Sequence, residues 1–159
     1  MSSYSRAALL LAIIGPMSFG NAARADDAAV SGIFKGNGKA ATLAFVSARK
    51  GHKLSDKPTI RLIFTEKDHS KDKRADFKAM FGDFGSALII TVFEDGKIVG
   101  CEVAHKAHEK MGFSSLGSIN MIDFKMKDGK LTGVIKTDGE VKTFGETWEV
   151  NIKFNAKAP

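Results

Sequence analysis

One short stretch gathers most of the side chains that could bind a metal or move a proton: Cys101, Glu102, His105, His108 and Glu109 all lie within CEVAHKAHE. A thiol and two imidazoles are ligand types suited to zinc or copper. Chain geometry keeps them from acting together. If residues 97–104 form a strand, Cys101 and His105 stand about 13 Å apart at the usual rise, too far to share one ion. A two-residue turn at Asp95-Gly96 would also set Val92 opposite Val99, Ile90 opposite Cys101 and Leu88 opposite Val103, which makes the thiol a small buried core residue. Past the strand, a helical turn over 105–110 would bring His105, His108 and Glu109 to one side. These three form the zinc or copper set to test; an ordinary polar loop is the competing reading, because the longer signature of zinc hydrolases is missing.

The other reactive types are more scattered. His69 lies in KDHSKDKRAD with Asp68, Asp72 and Asp76 four residues apart. Calcium loops place carboxylates at every second residue around a glycine, so this spacing describes a solvated face rather than a cation loop. Glu102 would stand opposite Ile89 on a half-covered sheet face, and with Glu149 it is a strand carboxylate that could point inward as an acid or base. No serine sits in a Gly-x-Ser-x-Gly elbow. Gly36-Asn37-Gly38-Lys39 and Gly82-Asp83-Phe84-Gly85 lack the phosphate-loop spacing and read as turns. Trp148 reads as a core anchor.

The elements that must position these residues are strands. In the last segment Trp148, Val150, Ile152 and Phe154 alternate with Glu149, Asn151 and Lys153, the period of a half-buried strand. The same period recurs over 42–48, 59–65, 87–93, 97–104, 119–126 and 131–136, with a shorter run at 32–35, for about eight strands. Asp-Gly pairs at 95–96, 128–129 and 138–139 suit tight hairpins and make neighbouring strands antiparallel. The turn at Asp128-Gly129 would put Met126 opposite Leu131 and Phe124 opposite Gly133. At Asp138-Gly139 a two-residue loop would set Ile135 against Lys142, so a bulge or longer loop is expected there. A crossover over 66–84 carries one short helix at 75–81, whose Phe77, Met80 and Phe81, with Phe84, would cap an end of the sheet. The expected fold is all-β: a single antiparallel β-sandwich or flattened barrel.

The N-terminus bears on location. A positive charge at Arg6, the uncharged run AALLLAIIG and the small-x-small triplet Ala23-Arg24-Ala25 have the form of a cleavable signal peptide over 1–25, leaving one β domain at 26–159 in the periplasm or outside the cell. Cleavage near Ala25 would remove Arg6 and Arg24 and no acid, lowering the formal net charge from +6 to +4. Lysines and acids alternate along most of the chain, which disfavours nucleic acid as a partner. No later run is long enough for a membrane span. Cys101 is the sole cysteine, so no intramolecular disulfide forms.

Thr65 to Asp68 (TEKD), FGDFGS, GCEVAHKAH, GFSS and FGETWEV together resemble a group of small exported bacterial β-rich proteins. The resemblance implies an exported β domain and carries over no catalytic residue. The Gly-x-Trp of lipocalins is missing near the first strand. The expected function is non-enzymatic: end loops bearing His69, His105 and His108, together with the strand residue Glu102, bind a small ligand, a metal ion or an envelope component. Two alternatives stand beside it, an envelope hydrolase using Glu102, His105 and His108, and a structural or protein-interaction module.

Overall fold

The computed structural model describes residues 29–110 and 112–159, so the expected signal peptide lies outside the described residues. Along the chain run β1 (Val30–Gly36), β2 (Lys39–Ala41), β3 (Phe45–Lys50), β4 (Thr59–Thr65), α1 (Ala75–Met80), β5 (Ala87–Phe93), β6 (Ile98–Ala104), β7 (Phe113–Ser114), β8 (Ile119–Lys127), β9 (Lys130–Thr137), β10 (Val141–Thr143) and β11 (Glu146–Lys157). They form two antiparallel sheets, one ordered β2-β1-β11-β9-β8 with β10 also on β11, the other β3-β4-β5-β6-β7. The sheets stack as a β-sandwich and do not close into a barrel.

Strand alternation builds the core between them. Trp148, Val150, Ile152 and Phe154 of β11 turn inward with Leu131 and Ile135, and meet Leu62, Phe64, Leu88, Ile90, Cys101 and Val103 of the opposite sheet. β4 and β5 are buried on their outer face as well where α1 covers it, whereas Arg61 and Thr91, paired farther along that face, are polar and half-buried. Their outer face carries a second cluster, in which Ile63, Ala87 and Ile89 pack under Ala75 and Ala79 of α1. The helix therefore lies over a sheet face rather than at its end. Its buried side is alanine, which lets a short helix approach the sheet closely, and Phe77 and Phe81 are turned out at 56% and 52% exposure, stacked on each other at 4.7 Å.

The turns depart from expectation in instructive ways. Asp128 and Gly129 both take left-handed φ, the type I′ geometry, and Met126 faces Leu131 as expected. Further along, Asp123 has φ 52° and the ladder breaks between Ile122 and Lys125, so Asp123 and Phe124 together oppose Gly133. At Asp95-Gly96 only Gly96 is left-handed, and Phe93 bonds to both Gly96 and Lys97, giving a three-residue loop. Val92 consequently faces Ile98 instead of Val99. A bulge at Val99 offsets the extra loop residue, and Ile90 still meets Cys101 and Leu88 meets Val103. Asp138-Gly139 makes no hairpin. β9 and β10 both pair with β11, and the chain reverses at Phe144-Gly145, φ 53° and 89°. A phenylalanine in left-handed backbone is unfavourable enough that no turn signal points to it.

Candidate functional site

His105 follows directly on the end of β6, and a turn closed by the His108 N–H on the His105 carbonyl (2.9 Å) brings both imidazoles to one end of the sandwich. The loop is held by a carboxylate from across the molecule. Glu146, at the start of β11, accepts the backbone N–H groups of Glu109 and Lys110 at 3.1 Å on one oxygen and the Asn37 amide at 2.6 Å on the other. Asn37, in the β1–β2 turn, also donates to the Ala107 carbonyl at 3.0 Å and accepts from the Thr147 N–H at 2.9 Å. Lys110 Nζ donates to the Phe144 carbonyl. These bonds, the Asn37 amide foremost, hold the Glu146 carboxyl below the usual carboxylate range.

The same hydrogen bonds decide where the imidazole protons sit. His105 Nδ1 accepts the Ala107 N–H at 3.1 Å, so the neutral ring carries its proton on Nε2. His108 Nε2 lies 2.9 Å from the Thr147 carbonyl, which can only accept, so the neutral form of that ring carries its proton on Nε2 and leaves Nδ1 with a free lone pair. His105 Nε2 and His108 Nδ1 are both buried and have no hydrogen-bond partner among the described residues. The rings lie 5.4 Å apart, flanked by Phe34 and Phe113. Burial, then the neighbouring His108, lowers the His105 pKa. Beside the rings opens a cleft of about 200 Å³, walled by Met80, Phe81 and Gly82 from the end of α1 and rimmed by Lys106 and Lys110.

His69 is held apart from this cleft. Thr65 Oγ1 gives its only proton to the Lys67 carbonyl at 2.7 Å, so His69 Nδ1 donates to Thr65 at 2.6 Å and Ser47 donates to Nε2 at 2.7 Å. The ring is 3% exposed, and burial followed by the nearby Arg49 lowers its pKa. It borders a separate depression with Asp68, Lys71, Asp72 and Phe84. The two crossings nevertheless touch. The Glu66 carboxylate accepts the Ser86 N–H at 2.5 Å and pairs with Lys106 Nζ at 2.7 Å, while Ser86 Oγ accepts the Lys106 N–H at 3.2 Å.

Glu102 stands opposite Ile89 as expected, yet its carboxylate is taken by Arg61 at 2.6 Å. Arg61 Nε is also within 3.1 Å of Asp76, near enough for an ion pair though not aligned for a hydrogen bond. Glu102 lines other hollows, over the outer face of β4–β6, and not the histidine cleft. Glu149 faces outward, toward Lys35 at 3.6 Å. The Glu109 residue is exposed and contributes its backbone N–H to the site. Among the described residues, no three His, Cys, Asp or Glu side chains converge closely enough to hold a metal ion.

Sequence reasoning missed Glu146, Asn37, Ser47 and Thr65. A signal for Glu146 was present: extending the inward alternation of Trp148 and Val150 back by two residues puts this carboxylate on the core side of β11, where it is 4% exposed. Comparison of the chain with protein-family models, curated proteins and solved structures finds no match in any of the three.

Proposed function

We propose that this is an exported, non-enzymatic β-sandwich that binds a small polar ligand in the cleft between the end of α1 and the His105 to Lys110 loop. The observation that carries the reading is the pair of buried, unpartnered nitrogens, His105 Nε2–H and His108 Nδ1. Buried polar atoms without partners are few in folded proteins, and two on neighbouring rings beside one cleft call for a partner from outside the chain. One is a fixed donor and the other a fixed acceptor, so they suit a group that accepts and donates side by side, such as a hydroxyl, a carboxamide or a protonated carboxyl.

Zinc or copper fits less well. His105 could ligate only through Nε2, and that nitrogen must keep its proton while Nδ1 accepts from Ala107. The hydrolase reading loses Glu102, whose carboxylate is bound to Arg61. The exposed Phe77 and Phe81 beside the cleft favour a second reading, a protein-interaction module. Export rests on the signal-like N-terminus.

Native mass spectrometry of the protein recovered from its own cells, paired with metal analysis, tests the reading. The wild-type protein is expected to carry a small organic molecule, and His105→Ala/His108→Ala is expected to lose it, with binding weaker by about tenfold for each hydrogen bond removed. Absence of any bound molecule in the wild type, or equal retention by a folded double variant, removes the proposal.

A further inference from the structure

The lysines that alternate with acids along the sequence are sorted by the strands onto one surface. On the outer face of the β1-β11-β9-β8 sheet, Lys157, Lys130 and Lys127 stand side by side across three strands. Lys125 occupies the next row beside Thr132, Lys153 the row after it beside Val134, and Lys136 the fourth, beside Asn151 and Asn120. Among the described residues none of these six lysines has a carboxylate within 4.0 Å. The one acid set within the face, Glu149, is paired with Lys35; Asp123, Asp128 and Asp138 are confined to a bulge and to turns at the rim. Like charges directly opposite one another weaken a sheet, so a row of three lysines breaks a local rule with no gain inside the molecule.

We infer that this face docks on a membrane surface rich in anionic lipid. The lysines are spread in two dimensions, about 4.8 Å apart between strands and about 6.8 Å along them, a pattern that matches a plane of headgroups better than a rod lying in a groove. Ile33 and Ile122, exposed at 46% and 37%, lie on the same face and offer apolar contact with the interfacial layer. The face carries no aromatic side chain for stacking bases. The described arginines, Arg49, Arg61 and Arg74, all belong to the other sheet and its crossover, so bidentate phosphate recognition is missing here too. The chemistry is that of point charges on a weakly apolar plane, and it does not involve the histidine cleft.

The test is co-sedimentation of the protein, as its own cells produce it, with vesicles of phosphatidylglycerol and phosphatidylcholine or of phosphatidylcholine alone. At about 50 mM salt the wild type is expected on the anionic vesicles only, and about 0.5 M salt is expected to release it. Lys127→Gln/Lys130→Gln/Lys157→Gln should weaken partitioning by about a hundredfold, roughly fivefold per lysine. Lys125→Gln/Lys136→Gln/Lys153→Gln should behave alike, so the result does not hang on one variant's folding. Lys50→Gln/Lys53→Gln/Lys73→Gln, on the other side of the molecule, should keep most of the binding. Wild-type protein that stays in solution, a control triple that falls as far as the first, or tighter capture by duplex DNA or heparin than by vesicles of equal charge overturns the inference.

Discussion

Cys101 shows how one residue's chemistry is decided by what surrounds it. A thiol is a nucleophile only as thiolate, and burial between the sheets pushes its pKa up to about 12, with Glu102 adding a smaller push. Iodoacetamide at pH 8 should therefore leave Cys101 unmodified in the folded protein and label it fully in guanidinium, as read by intact mass. Labelling of the native state at the unfolded rate would mean that the sandwich opens there. The two cleft histidines show the opposite case, in which burial leaves reactive atoms waiting for a partner. Their tautomers are dictated by one backbone N–H and one carbonyl, neither adjacent in sequence to the ring it orients.

At the scale of elements, the end of β1 is shaped to admit the histidine loop. Gly36 lies against the rings, and a Cβ placed on it would come within 2.6 Å of His105 Nδ1 and His108 Nε2. Gly36→Ala should displace the imidazoles, weaken ligand retention and cost about 1–3 kcal/mol of stability, the usual range for overpacking. Denaturant unfolding alongside native mass spectrometry checks both; unchanged retention and stability would mean that the loop yields freely to the added methyl group. The β5–β6 hairpin illustrates how much of an element is legible locally. The strands are set by apolar runs, and the register survives because the Val99 bulge compensates for the third loop residue. The reversal at Phe144-Gly145 was not legible, since its left-handed phenylalanine is held by the pairing of β10 with β11. The burial of Ala75 and Ala79 rather than the phenylalanines of α1 depends on how close the helix lies to the sheet, which periodicity does not encode.

For the whole molecule, the buried histidines set a pH dependence separate from that of the acids. His69 and His105 both have pKa values lowered by burial, from an ordinary value near 6.5. Below about pH 6.5 the unfolded chain takes up protons that the folded one refuses, so stability falls as pH drops from 7.5 toward 5.5. The carboxyls of Glu66 and Glu146, held low by their bonds, contribute stability that is lost only at more acidic pH, as they take up protons in the folded state. Urea midpoints across that range should decline in the wild type and less in His69→Gln or His105→Gln; a flat wild-type profile would mean that both rings protonate freely in the fold. The alternation of side chains is a local property, and from it the sequence by itself determined the all-β class and eight of the eleven strands among the described residues, β4 and β5 to the residue, while β2, β7 and β10 are too short to show a period. Only the tertiary structure decided sandwich over barrel, set Glu146 under the histidine loop, separated His69 and Glu102 from His105, and pooled the lysines on one face. Those outcomes join residues far apart in the chain, Asn37 with Glu146, Glu66 with Lys106, Lys130 with Lys157, and the packing of one sheet on another supplies the contact that spacing along the chain leaves open.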